Sequence, residues 1–110
     1  MQIITAMIQP FMLEKVVEAL GVIEGFPGMT VTDVRGFGRR TESTETSPTL
    51  DFFIEKTRIE IVARDEMVEV IVGTIVRAAH TGRRGDGKVF VWPVEQAFRI
   101  RNGDLNDSAL

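Results

Sequence analysis

Apolar and polar positions along the chain alternate between two periods. Ile3, Ile4, Ala6, Met7 and Ile8 form a short, nearly continuous apolar run, which predicts a buried strand over 2–9. Pro10 stands where a helix can begin. From Phe11 to Ile23 the residues Leu13, Val16, Val17, Leu20 and Ile23 keep helical spacing, with Glu14, Lys15 and Glu18 on the other side. Gly25-Phe-Pro-Gly28 then breaks the pattern. Residues 29–37 are β-branched and alternating, which predicts a second strand. Residues 40–55 carry Thr, Ser, Pro and acids with little periodicity and read as a long exposed loop, a feature that is usually functional or disordered. From Thr57 to Ala63 the alternation returns, with Thr57, Ile59 and Ile61 on one face and Arg58, Glu60 and Val62 on the other. Asp65 is placed to N-cap a helix over 66–80. Its apolar stripe is Val68, Ile71, Val72, Ile75 and Ala79, and Glu66, Glu69, Gly73, Arg77 and His80 face away. A glycine-rich loop, 81–87, precedes a fourth strand over 88–94, and 98–100 reads as a short tail strand.

The predicted order is β-α-β-β-α-β, the pattern of an α+β, ferredoxin-like sandwich of four antiparallel strands with two helices on one face. The second sheet face is left uncovered, which implies oligomerisation through it. No linker, repeat or compositional shift divides the chain, so residues 1–110 are expected to form one domain.

Composition narrows the function. With 44% hydrophobic and 26% charged residues the chain has the balance of a soluble globular protein. No run of 18 apolar residues offers a membrane span, and the N-terminus lacks the marks of a signal peptide, so a cytoplasmic location is expected. The absence of cysteine removes disulfides, thiol nucleophiles and thiolate metal sites together. A net charge of −3 disfavours nucleic acid as a partner. The charge is uneven, however. Residues 77–101 hold Arg77, Arg83, Arg84, Lys88, Arg99 and Arg101 against Asp86 and Glu95, a basic island suited to a small anionic ligand.

Three segments carry candidate chemistry. Thr81-Gly-Arg-Arg-Gly-Asp-Gly-Lys88 contains most of a phosphate-binding glycine loop, in which backbone N–H groups surround phosphate and lysine adds charge. Val89 stands where Ser or Thr would hold Mg²⁺, and a strand follows where a P-loop opens a helix, so a P-loop ATPase is disfavoured. The alternatives are a charged hairpin loop and an anion nest. Arg35-Gly-Phe-Gly-Arg-Arg40 is either a strand-end bulge or a phosphate contact made by guanidinium forks. Arg99-Ile-Arg101, at strand spacing, puts both guanidiniums on one side, either as phosphate ligands or as an edge strand protected by charge. His80 is expected at an exposed helix end, Glu60 in an ion pair with Arg58 or on a site rim, and the methionines as core filler. No Ser-His-Asp set, paired carboxylates or metal-ligand cluster is recognisable, so no catalytic residue is assigned.

At these segments the chain resembles the P-II signal-transduction family, the trimeric nitrogen-regulatory proteins. The matching stretches are Thr30-Val-Thr-Asp-Val-Arg-Gly-Phe-Gly-Arg39, Lys56-Thr-Arg-Ile-Glu-Ile-Val62, Thr81 to Val91, Pro93-Val-Glu, Arg99-Ile-Arg-Asn-Gly-Asp104 and Ala109-Leu110. Ile8-Gln-Pro-Phe11 also fits the end of the family's first strand. The resemblance implies a homotrimer that binds ATP or ADP between subunits, with Mg²⁺ accompanying ATP. By position it implies that Gly36, Gly38 and Arg39 line the nucleotide, and that Gly85, Gly87 and Lys88 hold its phosphates. It puts Thr30 and Glu60 at the adenine, and has Arg99 and Arg101 reach in from a neighbouring subunit. Residues 40–55 match the family's T-loop, which engages target proteins, 81–87 its B-loop and 98–110 its C-terminal tail.

The chain also departs from the family. Its T-loop is about three residues shorter than in the nitrogen regulators, and the chain has no tyrosine to accept uridylylation or adenylylation. Arg40 replaces the Gln that helps hold Mg²⁺ and 2-oxoglutarate, whereas Lys56 remains at the effector lysine's position, so these two are effector-site candidates. The resemblance implies a divergent regulator whose target is a transporter or a nitrogen-metabolism enzyme. The competing readings are a slow ATPase and a nucleotide-independent metal-tolerance or structural trimer.

Overall fold

The computed structural model describes residues 1–37 and 53–110. Strand β1 (Gln2–Ile8) is followed by a short 3₁₀ turn (Pro10–Met12) and helix α1 (Leu13–Gly21). Strands β2 (Thr30–Gly36) and β3 (Ile54–Ala63), helix α2 (Asp65–Ala79) and strand β4 (Gly87–Pro93) complete the framework, with a terminal 3₁₀ turn at Asn106–Ala109. The sheet order is β2-β3-β1-β4, and each neighbouring pair is antiparallel. This is the ferredoxin-like arrangement expected from the periodicity.

Strand alternation decides which side chains meet the helices. Ile4 pairs with Ile61, Ala6 with Ile59 and Ile8 with Thr57, and all six are buried. Val16 and Leu20 of α1 and Ile71 and Ile75 of α2 close over them. Ile3, Thr5 and Met7, opposite Val62, Glu60 and Arg58, belong to the other face. Phe90 and Trp92 of β4 pair with Thr5 and Ile3, and both remain about half exposed. That face therefore carries apolar surface as well as charge.

Several expected boundaries shift. The first helical segment begins as a 3₁₀ turn with Pro10 at its start and ends at Gly21, two residues before Ile23. Met12 is buried, while Val17 is exposed despite its helical spacing. Asp65 is not the cap of α2. Arg64 occupies that position, and Asp65 is the first helical residue. Its carboxylate instead accepts hydrogen bonds from the N-terminal ammonium at 2.7 Å and from Gln2 Nε2 at 3.3 Å. The ammonium holds the Asp65 carboxyl below its ordinary range, and the Asp65 hydrogen bond raises the amine. Strand β3 starts three residues earlier than its alternation suggests, because Gly36, Arg35 and Val34 still pair with Ile54, Glu55 and Lys56.

Residues 98–100 do not form a strand. Phe98 and Leu105 make one isolated antiparallel bridge around a tight turn, closed by Gly103 N–H donating to the Arg99 carbonyl at 2.7 Å. Arg99 and Arg101 are consequently not held on one side of an extended segment. Met12 aside, the core-filler expectation for methionine holds for Met29 and Met67, which pack against the core, but Met7 lies on the open face.

Candidate functional site

The glycine loop connects α2 to the edge strand β4, and its shape follows from backbone chemistry. Gly85 and Gly87 have φ of 93° and 108°, a region that side chains disfavour. At Gly87 the loop runs so close to β1 that a Cβ would overlap the carbonyl group of Met7. Lys56 reaches over from β3, and its Nζ donates to the Gly85 carbonyl oxygen at 2.6 Å. Lys88 follows directly on β4, opposite Met7. Met7, Lys56, Arg83, Gly85 to Lys88 and Phe90 together line a groove of about 470 Å³. Gly36 also approaches this cluster: a Cβ there would lie 4.0 Å from the Lys56 side chain.

Asp86 was not singled out by sequence reasoning, yet it organises the loop. Its carboxylate accepts hydrogen bonds from the Thr81 N–H at 2.8 Å, from the Gly82 N–H at 2.9 Å and from the Thr81 hydroxyl. These donors, the Thr81 hydroxyl first, lower its pKa from 3.8 to about 2. His80 Nδ1 lies 3.9 Å away and is itself exposed, as expected for the helix end. The available signal was the Thr81…Asp86 spacing within a glycine-rich segment, which suits a loop closed on its own side chain.

The other expected site residues are dispersed. Thr30 and Glu60 pair across β2 and β3, and Glu60 lies four residues from Lys56, about 13 Å along the strand. Arg58 and Glu60 stand side by side on the open face, where the Arg58 Nε is buried without a hydrogen-bond partner. The tail is fastened at the far end of the sheet: the Val94 N–H donates to the Met1 carbonyl at 3.2 Å and Arg64 to the Asp107 carbonyl at 3.2 Å. From Gln2 to Ile8, β1 separates this end from the glycine loop by about 20 Å. Arg99 is engaged there with Asp104 at 3.5 Å and with the Leu110 oxygen at 3.3 Å, while Arg101 is exposed on the turn. The tail arginines and the glycine loop therefore do not meet within one chain. Gly38, Arg39 and Arg40 lie outside the described residues, as does most of segment 40–55.

The base of that segment is described. Gly36 and Ile54 are the last ladder pair, and beyond them Phe37 and Phe53 meet with ring centroids 5.5 Å apart. The Arg35 guanidinium sits 5.7 Å from the Phe53 centroid.

Fold and site thus define an α+β ferredoxin-like protein with a glycine-rich, lysine-flanked loop at one end of its sheet. The family model described as "Nitrogen regulatory protein P-II" matches residues 1–104, and the chain belongs to this P-II family of nitrogen-regulatory signal-transduction proteins. It is 46% identical to nitrogen regulatory protein P-II of Klebsiella oxytoca and 46% identical to nitrogen regulatory protein P-II 1 of Escherichia coli strain K12, in each case over 100% of both chains. It is 45% identical over the same span to nitrogen regulatory protein P-II of Haemophilus influenzae. These alignments run over 113 positions, so at least three positions (113 less 110) have no residue in this chain. Among the described residues no helix is long and apolar enough to cross a membrane.

Proposed function

We propose that this protein is an adenine-nucleotide-responsive regulator, not an enzyme, that acts on a target protein through segment 40–55. The observation that carries this reading is the groove over the glycine loop. Lys56, Arg83 and Lys88 gather there beside two exposed glycines, which bring no side chain of their own. Such a surface suits the phosphates of ATP or ADP, since close backbone approach and fixed cations are what a polyphosphate needs. Mg²⁺ is expected to accompany ATP. Gly36, Gly38, Arg39, Gly85, Gly87 and Lys88 are assigned to the nucleotide from one chain. Arg99 and Arg101, held at the far end of the sheet, are assigned to it from a second copy, and Thr30 and Glu60 are assigned to the adenine. The open sheet face, with Phe90 and Trp92 about half exposed on β4, supports a homotrimer assembled through it.

Binding, and not turnover, is the role the loop supports. The Asp86 carboxylate is occupied by three donors of its own loop, which leaves it unsuited to activate water or to take up Mg²⁺. Regulation then requires ATP and ADP to differ in binding energy between two states of segment 40–55. A transporter or a nitrogen-metabolism enzyme is the proposed target class.

The test is calorimetric titration with ATP and ADP. Micromolar affinity is expected for the wild type. Lys88→Ala and Arg101→Ala should each lose roughly ten- to a hundred-fold, the effect of removing a charge-assisted contact of about 1.5–3 kcal/mol. Arg84→Ala, at the loop tip, should lose much less. Equal losses in all three variants would contradict the assignment.

A further inference from the structure

Asp86 lies between Gly85 and Gly87, the glycines assigned to the phosphates, and a carboxylate there would repel a polyphosphate if it faced the ligand. It turns back instead. It accepts from Thr81 and Gly82, and the Thr81 hydroxyl in turn accepts from the Arg83 N–H at 3.1 Å. On the opposite flank, Lys56 fixes the Gly85 carbonyl oxygen at 2.6 Å. The close approach of Gly87 to Met7 anchors the third side. The loop is thus tied at its start, middle and end by contacts within its own chain. An anion nest gains affinity from such order, since fewer conformations are lost on binding.

We propose that Thr81 and Asp86 are positioning residues for the nucleotide phosphates: together with Lys56 they hold the Gly85–Gly87 backbone in its binding shape. The proposal rests on the nucleotide-binding reading above. It assigns Asp86 no contact with the nucleotide and makes Lys56 a tie on the Gly85 carbonyl. Asp86→Asn removes the charge and replaces one of the two acceptor oxygens by a donor, and Thr81→Val removes the hydroxyl while keeping the side chain's shape.

Two measurements on the full chain test it: amide hydrogen exchange across 81–87 without nucleotide, and calorimetric ATP titration. Asp86→Asn and Thr81→Val should exchange faster in the loop, with β1 and β3 amides unchanged, and should bind ATP roughly ten-fold more weakly. Thr81→Ser, which keeps the hydroxyl, should restore most of both losses. Weaker binding with unaltered loop exchange would overturn the proposal by making Asp86 a direct ligand. Faster exchange with unaltered affinity would overturn it by making loop order irrelevant to binding. A wild type that binds no ATP would instead overturn the nucleotide reading itself.

Discussion

Two single charges, those of Asp86 and Arg40, lead to sharp predictions. Asp86 is an acid whose pKa is depressed to about 2 by its loop donors. Its ionised form therefore favours the ordered loop fully above the ordinary value of 3.8, and this contribution is lost as the pH falls through about 2. His80, 3.9 Å away, and the cations Arg83, Lys56 and Lys88 are the titratable and charged groups around it. Loop amides should lose protection between about pH 4 and pH 2, and the Asp86→Asn variant should lack this step; exchange read against the β1 amides measures it. Arg40 lies outside the described residues, but its chemistry does not depend on its placement. The nitrogen regulators that the sequence resembles use a glutamine there to help hold Mg²⁺ and 2-oxoglutarate. An amide oxygen can ligate Mg²⁺, whereas a guanidinium offers only donors and a permanent positive charge. At about 4 Å and an effective dielectric near 20, each unit of like charge costs about 4 kcal/mol before relaxation. Weak or absent 2-oxoglutarate binding in Mg-ATP is expected, with binding gained in Arg40→Gln. Tight binding by the wild type in calorimetry would refute the role given to Arg40.

At the scale of elements, the legible features were those that tertiary contacts repeat. Thr57, Ile59, Ile61 and Ala63 alternate in sequence and are all buried, so β3 could be read directly. The stripe on α2 was equally plain, because Ile71 and Ile75 meet the same sheet face. Ile59 is fully buried between Ala6 and Val31, so Ile59→Ala should cost about 2–5 kcal/mol, while Val17→Ala, on the exposed side of α1, should stay within about 0.5 kcal/mol. Chemical denaturation of the two variants checks the contrast. Features set by a single distant partner were not legible. Asp65 has the composition of a cap, but the N-terminal ammonium and Gln2 claim its carboxylate across more than sixty residues of chain. Glu55 carries no apolar alternation, yet β2 pairing extends β3 through it. The tail segment 98–100 has strand-like spacing, but the Arg99–Asp104 contacts close a turn that alternation cannot report. Asp86 did not stand out, because its partners Thr81 and Gly82 are recognisable only once the loop closes.

For the whole molecule, the decisive fact is the separation of its tail arginines from its glycine loop. The glycine loop, Lys56 and Lys88 occupy one end of the sheet, and the tail bearing Arg99 and Arg101 is pinned to the other by Met1 and Arg64. One chain cannot bring Arg101 to Lys88 without tearing the tail from its anchors. A second copy can, and the one-sided helix layer leaves a face through which copies would associate. In the proposed trimer, closed symmetry would make every site equivalent and composite. The expected solution state is a trimer, and a stable monomer at micromolar concentration in sedimentation would exclude it. The composite site has a sharper consequence. Lys88→Ala and Arg101→Ala oligomers should each bind ATP poorly when pure. When the two are unfolded, mixed in equal amounts and refolded, about a quarter of the sites should draw an intact Lys88 from one chain and an intact Arg101 from another. Those sites should recover wild-type affinity, appearing as a tight fraction in the ATP titration. If Lys88 and Arg101 served the same site from one chain, every site in the mixture would lack one of them, and no tight fraction would emerge.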